Sequence, residues 1–124
     1  MSYEIQYEDN GVYWRFYGDV IYNDLLAVNK DVWGSPKWGL LRYQIVDFLE
    51  AQAILISKEE AILIAHMDIA SAKSTNEMRV ACIADQQPII EMCEVYKQTM
   101  TAEGWEVEIF NTLEAARGWI EEIH

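Results

Sequence analysis

Arg79-Val80-Ala81-Cys82-Ile83-Ala84-Asp85 is a short apolar run with an acidic end, and it is followed by a segment over residues 88–100 that opens on Pro88. Residues 105–110 then read Trp-Glu-Val-Glu-Ile-Phe, alternating apolar with acidic. The first run has the length and composition of a buried strand, the second segment repeats its apolar residues at helical spacing, and the third has the period of two of a half-buried strand. A last helical stripe, Leu113, Ala116, Ile120 and Ile123, closes the chain. Parallel neighbours need a crossover of a dozen or more residues, usually a helix. The strand-helix-strand-helix order therefore predicts an α/β fold with a largely parallel sheet.

Toward the N-terminus, Tyr3, Ile5 and Tyr7 alternate with polar residues, and Val12, Trp14 and Phe16 do the same beyond Asn10-Gly11. Two such runs joined by Asn-Gly predict a β-hairpin whose central turn residues take positive φ. Gly18-Asp19 is expected to close it. Ile21, Leu25, Val28 and Val32 then recur at helical spacing until Gly34-Ser35-Pro36. Residues 40–47 are expected as the third strand and 48–56 as an irregular apolar connection. Ser57 and Glu60 have the spacing of a capping box before a helix with Ile62, Ala65, Ile69 and Ala72 on one face, fraying near Ser74-Thr75-Asn76. Pro88 suits a first helical turn, and Ile89, Met92, Cys93, Tyr96 and Met100 form the stripe of that helix, which Gly104 ends. Asn111 or Thr112 caps the last helix. The expected order is β-β-α-β-α-β-α-β-α, a five-stranded mixed, mostly parallel sheet with four helices. Only the strand at residues 3–8 should run antiparallel, with right-handed crossovers.

At 124 residues the chain is expected to be one domain, residues 1–124, with enough length for a single core. Its net charge of −12 comes from 21 acidic and 9 basic residues without a basic cluster. Such a surface lacks the cations whose phosphate contacts drive nucleic-acid affinity, so neither nucleic acid nor an anionic membrane is an expected partner. Apolar stretches fall short of the ~18 residues of a membrane helix, and a cytoplasmic protein without membrane insertion is expected. Cys82 and Cys93 lie in apolar surroundings at a spacing that fits neither a paired-thiol nor a zinc motif, and are read as reduced, buried small hydrophobes.

Gly18 after the hairpin, Asp47 ending the third strand, the 79–85 run, and Phe110 followed by Leu113-Glu114-Ala115-Ala116-Arg117-Gly118-Trp119-Ile120 together resemble the SpoIIAA-like fold. That fold is shared by STAS domains and anti-sigma-factor antagonists, and these pieces are most similar to its STAS/SEC14-like bacterial branch. The resemblance covers nearly the whole chain. It implies helices packed mainly on one side of the sheet and a role in binding rather than catalysis. The antagonists carry Asp-Ser-Ser-Gly, with a phosphorylated serine, at the start of the second helix. Here the same place reads Leu55-Ile56-Ser57-Lys58, so Ser57 is a doubtful phosphoacceptor that its role as an N-cap explains.

Ligands of open α/β sheets bind beyond the carboxyl ends of the parallel strands, where Asp19, Asp47, Asp85 and Asn111 are expected. A carboxylate cluster there could hold Mg²⁺ for phosphoryl chemistry. The chain lacks the lysine and adjacent acidic pair of that pattern, and helix capping is the expected role; no metal, cofactor or catalytic residue is assigned. His66 stands alone on a helix, the six glycines form no phosphate loop, and no serine sits in a nucleophile elbow. Five tryptophans and seven tyrosines remain, with Trp14, Tyr17, Trp33 and Trp38 the chosen ligand or interface residues. They fit a dimer interface, a ligand pocket or core filler. The expected function is a non-enzymatic regulatory or protein-interaction module of STAS type, self-associating as a homodimer and lacking the phospho-serine switch. The alternative is a carrier or sensor of a small apolar ligand, SEC14-like, and the third reading is a Mg-dependent phosphoryl-transfer enzyme.

Overall fold

Two N-terminal strands pair as expected. In the computed structural model, which describes residues 3–72 and 78–122 and only the backbone of 69–72, β1 (Tyr3–Tyr7) runs antiparallel to β2 (Gly11–Ile21). The fraying expected near Ser74-Thr75-Asn76 and the Ile123 position lie outside the described residues, as do the side chains of Ile69 and Ala72. The turn corrects the Asn-Gly expectation: Glu8 N–H donates to the Gly11 carbonyl at 2.8 Å, and Asp9-Asn10 forms the turn without positive φ. Gly11 is required for another reason. A Cβ there would lie 2.1 Å from the Tyr43 ring, so the missing side chain makes room for the aromatic on the neighbouring strand.

Gly18-Asp19 does not close the hairpin. β2 continues to Ile21 and pairs in parallel with β3 (Tyr43–Leu55) along its length, through irregularities at Arg15/Tyr17 and Gly18/Asp19. Asp47 opposes Arg15 while Glu50 opposes Tyr17, and Ala51 opposes Gly18 while Ala53 opposes Asp19, so β3 carries an extra residue at each step. Gly18, at φ +58°, supplies the left-handed conformation at the second bulge. Residues 48–55, expected as an irregular connection, are thus strand, and residues 40–42 fall outside it. Pairing with the extended β2 gives this segment its backbone partners, a tertiary cause that outweighs the absence of regular alternation.

β4 (Arg79–Ile83) and β5 (Glu106–Phe110) complete a sheet of order β1-β2-β3-β4-β5 in which only β1 is antiparallel. The helices are α1 (Tyr22–Trp33), α2 (Lys58–Ala72), α3 (Gln87–Thr101) and α4 (Leu113–Glu121), with a turn of 3₁₀ helix at Trp38–Leu40. The architecture is the expected α/β one. Ile21 is the last strand residue and exposed, so the buried stripe of α1 is Leu25, Val28, Asn29 and Val32.

Alternation along each strand divides the core between the sheet's two faces. Val12, Trp14, Phe16 and Val20 of β2 pack with Val46, Val80 and Cys82 against α1, α2 and α3. Ile45, Ala81 and Ile83 face the other way and pack under Ala116 and Ile120 of α4. Phe16 stacks on Phe48, with centroids 5.1 Å apart and planes at 12°, which anchors the start of the β3 extension.

Candidate functional site: an apolar cavity under three helices

In the middle of the sheet, Trp14 of β2, Gln44 and Val46 of β3, and Val80 and Cys82 of β4 face the three-helix side. Over these lie Leu25 and Asn29 of α1, Ala61, Ile64 and Asp68 of α2, and Met92, Cys93 and Tyr96 of α3. They leave a cavity of about 80 Å³. Alanine and cysteine side chains at Ala61, Cys82 and Cys93 are too short to fill the space between α2, α3 and the sheet. Ile54, Ile56, Met92 and Tyr96 are half-buried and form its more accessible rim, while Trp14, Val80 and Cys82 are buried at its base.

One acidic side chain belongs to this apolar wall. Asp68 is 4% exposed, its Oδ2 accepts from Tyr96 O–H at 2.6 Å, and its Oδ1 is buried without a hydrogen-bond partner. Burial pushes its pKa up to about 7, against the pull of the tyrosine bond. The same burial, together with the Asp68 charge, raises the Tyr96 phenol well above its ordinary value. The Trp14 indole N–H is also buried without an acceptor. Asn29 is satisfied locally, with Nδ2 donating to the Leu25 carbonyl at 2.8 Å. A hydrogen bond between Cys82 and Cys93, then burial, raises the Cys82 thiol; both cysteines are free and buried, as expected.

The opposite side of the sheet is paired throughout its polar centre. Arg117 of α4 holds Glu8 with two bonds of 2.6 Å, Tyr43 O–H donates to the same carboxylate, and Tyr13 O–H donates to Asp47. Arg117 also lies over the Tyr13 ring at 5.6 Å. The Arg117 hydrogen bond, outweighing burial, holds the Glu8 carboxyl below its ordinary range. Burial and the Glu8 bond push Tyr43 up to about 12. Arg15 bridges Glu4 at 3.2 Å and Tyr17 O–H at 3.0 Å. Three helices thus lie on one side of the sheet, and the other side is covered by α4 and this lattice of charges and phenols.

The residues chosen from sequence separate. Trp14 is buried in the cavity wall, whereas Tyr17, three positions along the same strand, belongs with Arg15 and Glu4 on the other face. Trp38 is partly buried against the main core, and Trp33 is half-buried at the end of α1. Asp19 and Asp85 are exposed, while Asp47 is buried within β3, taking bonds from Tyr13 and from Leu49 N–H at 2.9 Å. Among the described residues, no three histidine, cysteine or acidic side chains gather as a metal site. Ser57 is in a capping box: its Oγ accepts from Glu60 N–H at 3.0 Å, and Glu60 accepts from Ser57 N–H at 2.9 Å. Thr112 is the cap of α4, accepting from Ala115 N–H at 3.1 Å. His66 is exposed.

Asp68 was not singled out from sequence. The expected face of α2 ran through Ile62, Ala65, Ile69 and Ala72, whereas the buried side chains described are Ala61, Ile64, Ala65 and Asp68. An aspartate at helical spacing from Ala61, Ile64 and Ala65 was the available signal. Spacing alone did not separate this face from the next, because Ile62 and Leu63 are apolar as well.

No protein-family model and no curated protein matches the chain. Solved structures do. An uncharacterised protein of the DUF3478 family with a SpoIIAA-like fold, from Shewanella loihica, superposes with a TM-score of 0.63 at 16% identity, covering 95% of this chain and 93% of that one. The unphosphorylated anti-sigma factor antagonist SpoIIAA gives 0.58 at 10% identity, covering 98% of this chain and 99% of that one. The phosphorylated Bacillus cell fate determinant SpoIIAA gives 0.54 at 12% identity, covering 95% of this chain and 98% of the other. The chain has the SpoIIAA-like fold of STAS domains.

Proposed function

We propose that the protein is a non-enzymatic regulatory module of the STAS type that binds a small, mostly apolar molecule between its sheet and helices. The carrying observation is the cavity of about 80 Å³ with Asp68 Oδ1 buried and unpartnered in its wall. Interiors are close-packed, and buried polar atoms almost always find partners. A void and an orphaned carboxyl oxygen in one place favour a site for a ligand over an ordinary core. The antagonist SpoIIAA structures support regulation through a protein partner as the context of such binding. Ser57 is committed to the cap of α2, which supports operation without a phospho-serine switch. Asp19, Asp47 and Asp85 are read as structural, without a cofactor or metal.

Native mass spectrometry of protein purified from its own host, in the cytoplasm where we expect it to act, tests the reading. A retained small molecule, released on unfolding, is the expected result. A bare chain that also binds nothing in a screen of small apolar compounds would remove the support. Self-association has its own observation: Ile21 and Leu55, partners in the parallel register at the far end of β2 and β3, are 42% and 57% exposed. A homodimer through this end should bury more than ~1,000 Å² and appear in sedimentation equilibrium. An Ile21→Glu/Leu55→Glu variant should then be monomeric.

A further inference from the structure

We infer that the cavity selects a neutral, hydroxyl-bearing molecule, an aliphatic alcohol in its simplest form, whose polar end donates to Asp68 Oδ1 and accepts from the Trp14 indole N–H. This rests on the ligand-binding reading of the cavity given above and names the chemistry of its ligand.

Three buried side-chain atoms among the described residues lack a partner, and the third of them, the Trp105 indole N–H, belongs to a residue outside the cavity lining. The two whose residues line the cavity, Asp68 Oδ1 and the Trp14 indole N–H, ask for opposite partners. Asp68 Oδ2 already holds the Tyr96 hydroxyl, and Oδ1 has no partner. The Trp14 N–H is a donor only and lacks an acceptor. A hydroxyl carries one donor and two acceptor lone pairs, so it can serve both. It also suits Asp68 in either protonation state, donating to the carboxylate or accepting from the acid. Other head groups do worse. Among the described residues no lysine, arginine or histidine lines the cavity, so a carboxylate ligand would meet Asp68 without a neutralising cation there. An ammonium would pair with Asp68 but has no lone pair for Trp14, and it would give up its own hydration in an apolar wall. An alkane would leave both atoms unpaired. Asn29 gives one of its two amide N–H groups to the Leu25 carbonyl, and neither it nor Gln44 has a buried polar atom left wholly without a partner.

Size limits the buried part. A cavity of about 80 Å³ is roughly half of the ~150 Å³ that accommodates the six carbons of benzene, so the hydroxyl and about two carbons fit inside it. A longer body would have to pass the half-buried Ile54, Ile56, Met92 and Tyr96.

The test uses ¹⁵N-labelled full-length protein titrated with pentan-1-ol, pentane, pentanoate and pentylammonium, following the Trp14 indole N–H resonance, assigned by its loss in Trp14→Phe. Pentan-1-ol should move this resonance saturably downfield and bind at least about tenfold more tightly than the other three probes. Asp68→Leu should bring pentan-1-ol down to the affinity of pentane. If Asp68→Leu does not fold, Trp14→Phe followed by ligand-observed saturation transfer should show the same loss of preference. Pentane or pentylammonium binding as tightly as the alcohol, or an alcohol preference unchanged in the Asp68 and Trp14 variants, would overturn hydroxyl selection and leave the cavity reading standing. Failure of all four probes, and of their two- to four-carbon homologues, to bind would overturn both.

Discussion

Two acidic side chains on opposite faces of the sheet each accept a bond from a tyrosine hydroxyl, Glu8 from Tyr43 and Asp68 from Tyr96. Arg117 makes the difference. It grips Glu8 with two bonds of 2.6 Å and keeps that carboxyl acidic, whereas among the described residues no cation pairs with Asp68, and burial drives it toward the neutral form. The paired face is complete in itself, with α4 tied to the hairpin across 109 positions of sequence. The unpaired face retains both a void and unmet hydrogen-bonding capacity. Charge alone therefore does not mark a site in this acidic chain; an acid left without its partner does.

The largest expected effect is in pH dependence. Asp68 titrates near 7 in the folded protein against an ordinary value of 3.8, so between these values the native state holds a proton that the unfolded chain has lost. Its contribution is fully present below about pH 4 and disappears as pH rises through 7, on the order of 4 kcal/mol by linkage. Glu8 has the opposite sign: its lowered pKa contributes stability above its unfolded value, lost as pH falls through the folded one. Urea melts from pH 4.5 to 8 should show wild-type stability falling relative to Asp68→Asn. Parallel curves for the two proteins would erase the contrast between the faces.

Next in size is damage to the paired face. Gly11→Ala puts a methyl into the Tyr43 ring, and displacing that ring also breaks its bond to Glu8. Overpacking of this kind costs about 1–3 kcal/mol. Adding Tyr43→Ala to Gly11→Ala should cost less than the sum of the two single losses, because the clash is then gone. Strict additivity in chemical melts would detach Gly11 from the network. Arg117→Ala should cost about 1–2 kcal/mol, held down by the partial exposure of the pair at 35% and 18%. Its test is a double-mutant cycle with Glu8→Gln, in which a coupling near zero would make the bridge irrelevant.

Smaller still is the helix start. Ser57→Ala should lower stability by about 1 kcal/mol through loss of the cap. The phospho-switch reading would replace this one if a cognate kinase labelled Ser57 stoichiometrically. The smallest expected effect is on cation binding. Calorimetry with Mg²⁺ should register no micromolar site, and Asp47→Asn should change nothing, since its carboxylate is engaged by Tyr13 and the Leu49 amide.

Local patterning carried most of the architecture. Alternation in β1, β2 and β5, the apolar run of β4, and the Ser57-Glu60 and Pro88 helix starts are signals that a few neighbouring residues generate. The strand over residues 48–55 was not legible, because its order comes from a partner more than thirty positions away, and its bulges break the period that would announce it. Gly18 illustrates the ambiguity: a glycine beside an aspartate marks a turn as well as it marks a bulge, and only pairing with Ala51 distinguishes them. The aromatic set was legible as unusual in number. Its division between faces followed from strand parity, Trp14 inward and Tyr17 outward.

The sequence by itself determined the order of strands and helices, the parallel sheet and the absence of a local catalytic motif, because period, capping and turn chemistry act over a few residues. Tertiary structure decided the site. Which face of α2 turns inward depends on how α1, α3 and the sheet close over it, and that closure removes water from Asp68 and the Trp14 indole N–H without giving Asp68 Oδ1 or that N–H a partner. Desolvation is a property of the packed assembly, so the pKa of Asp68 and the cavity beside it have no counterpart in the linear chain.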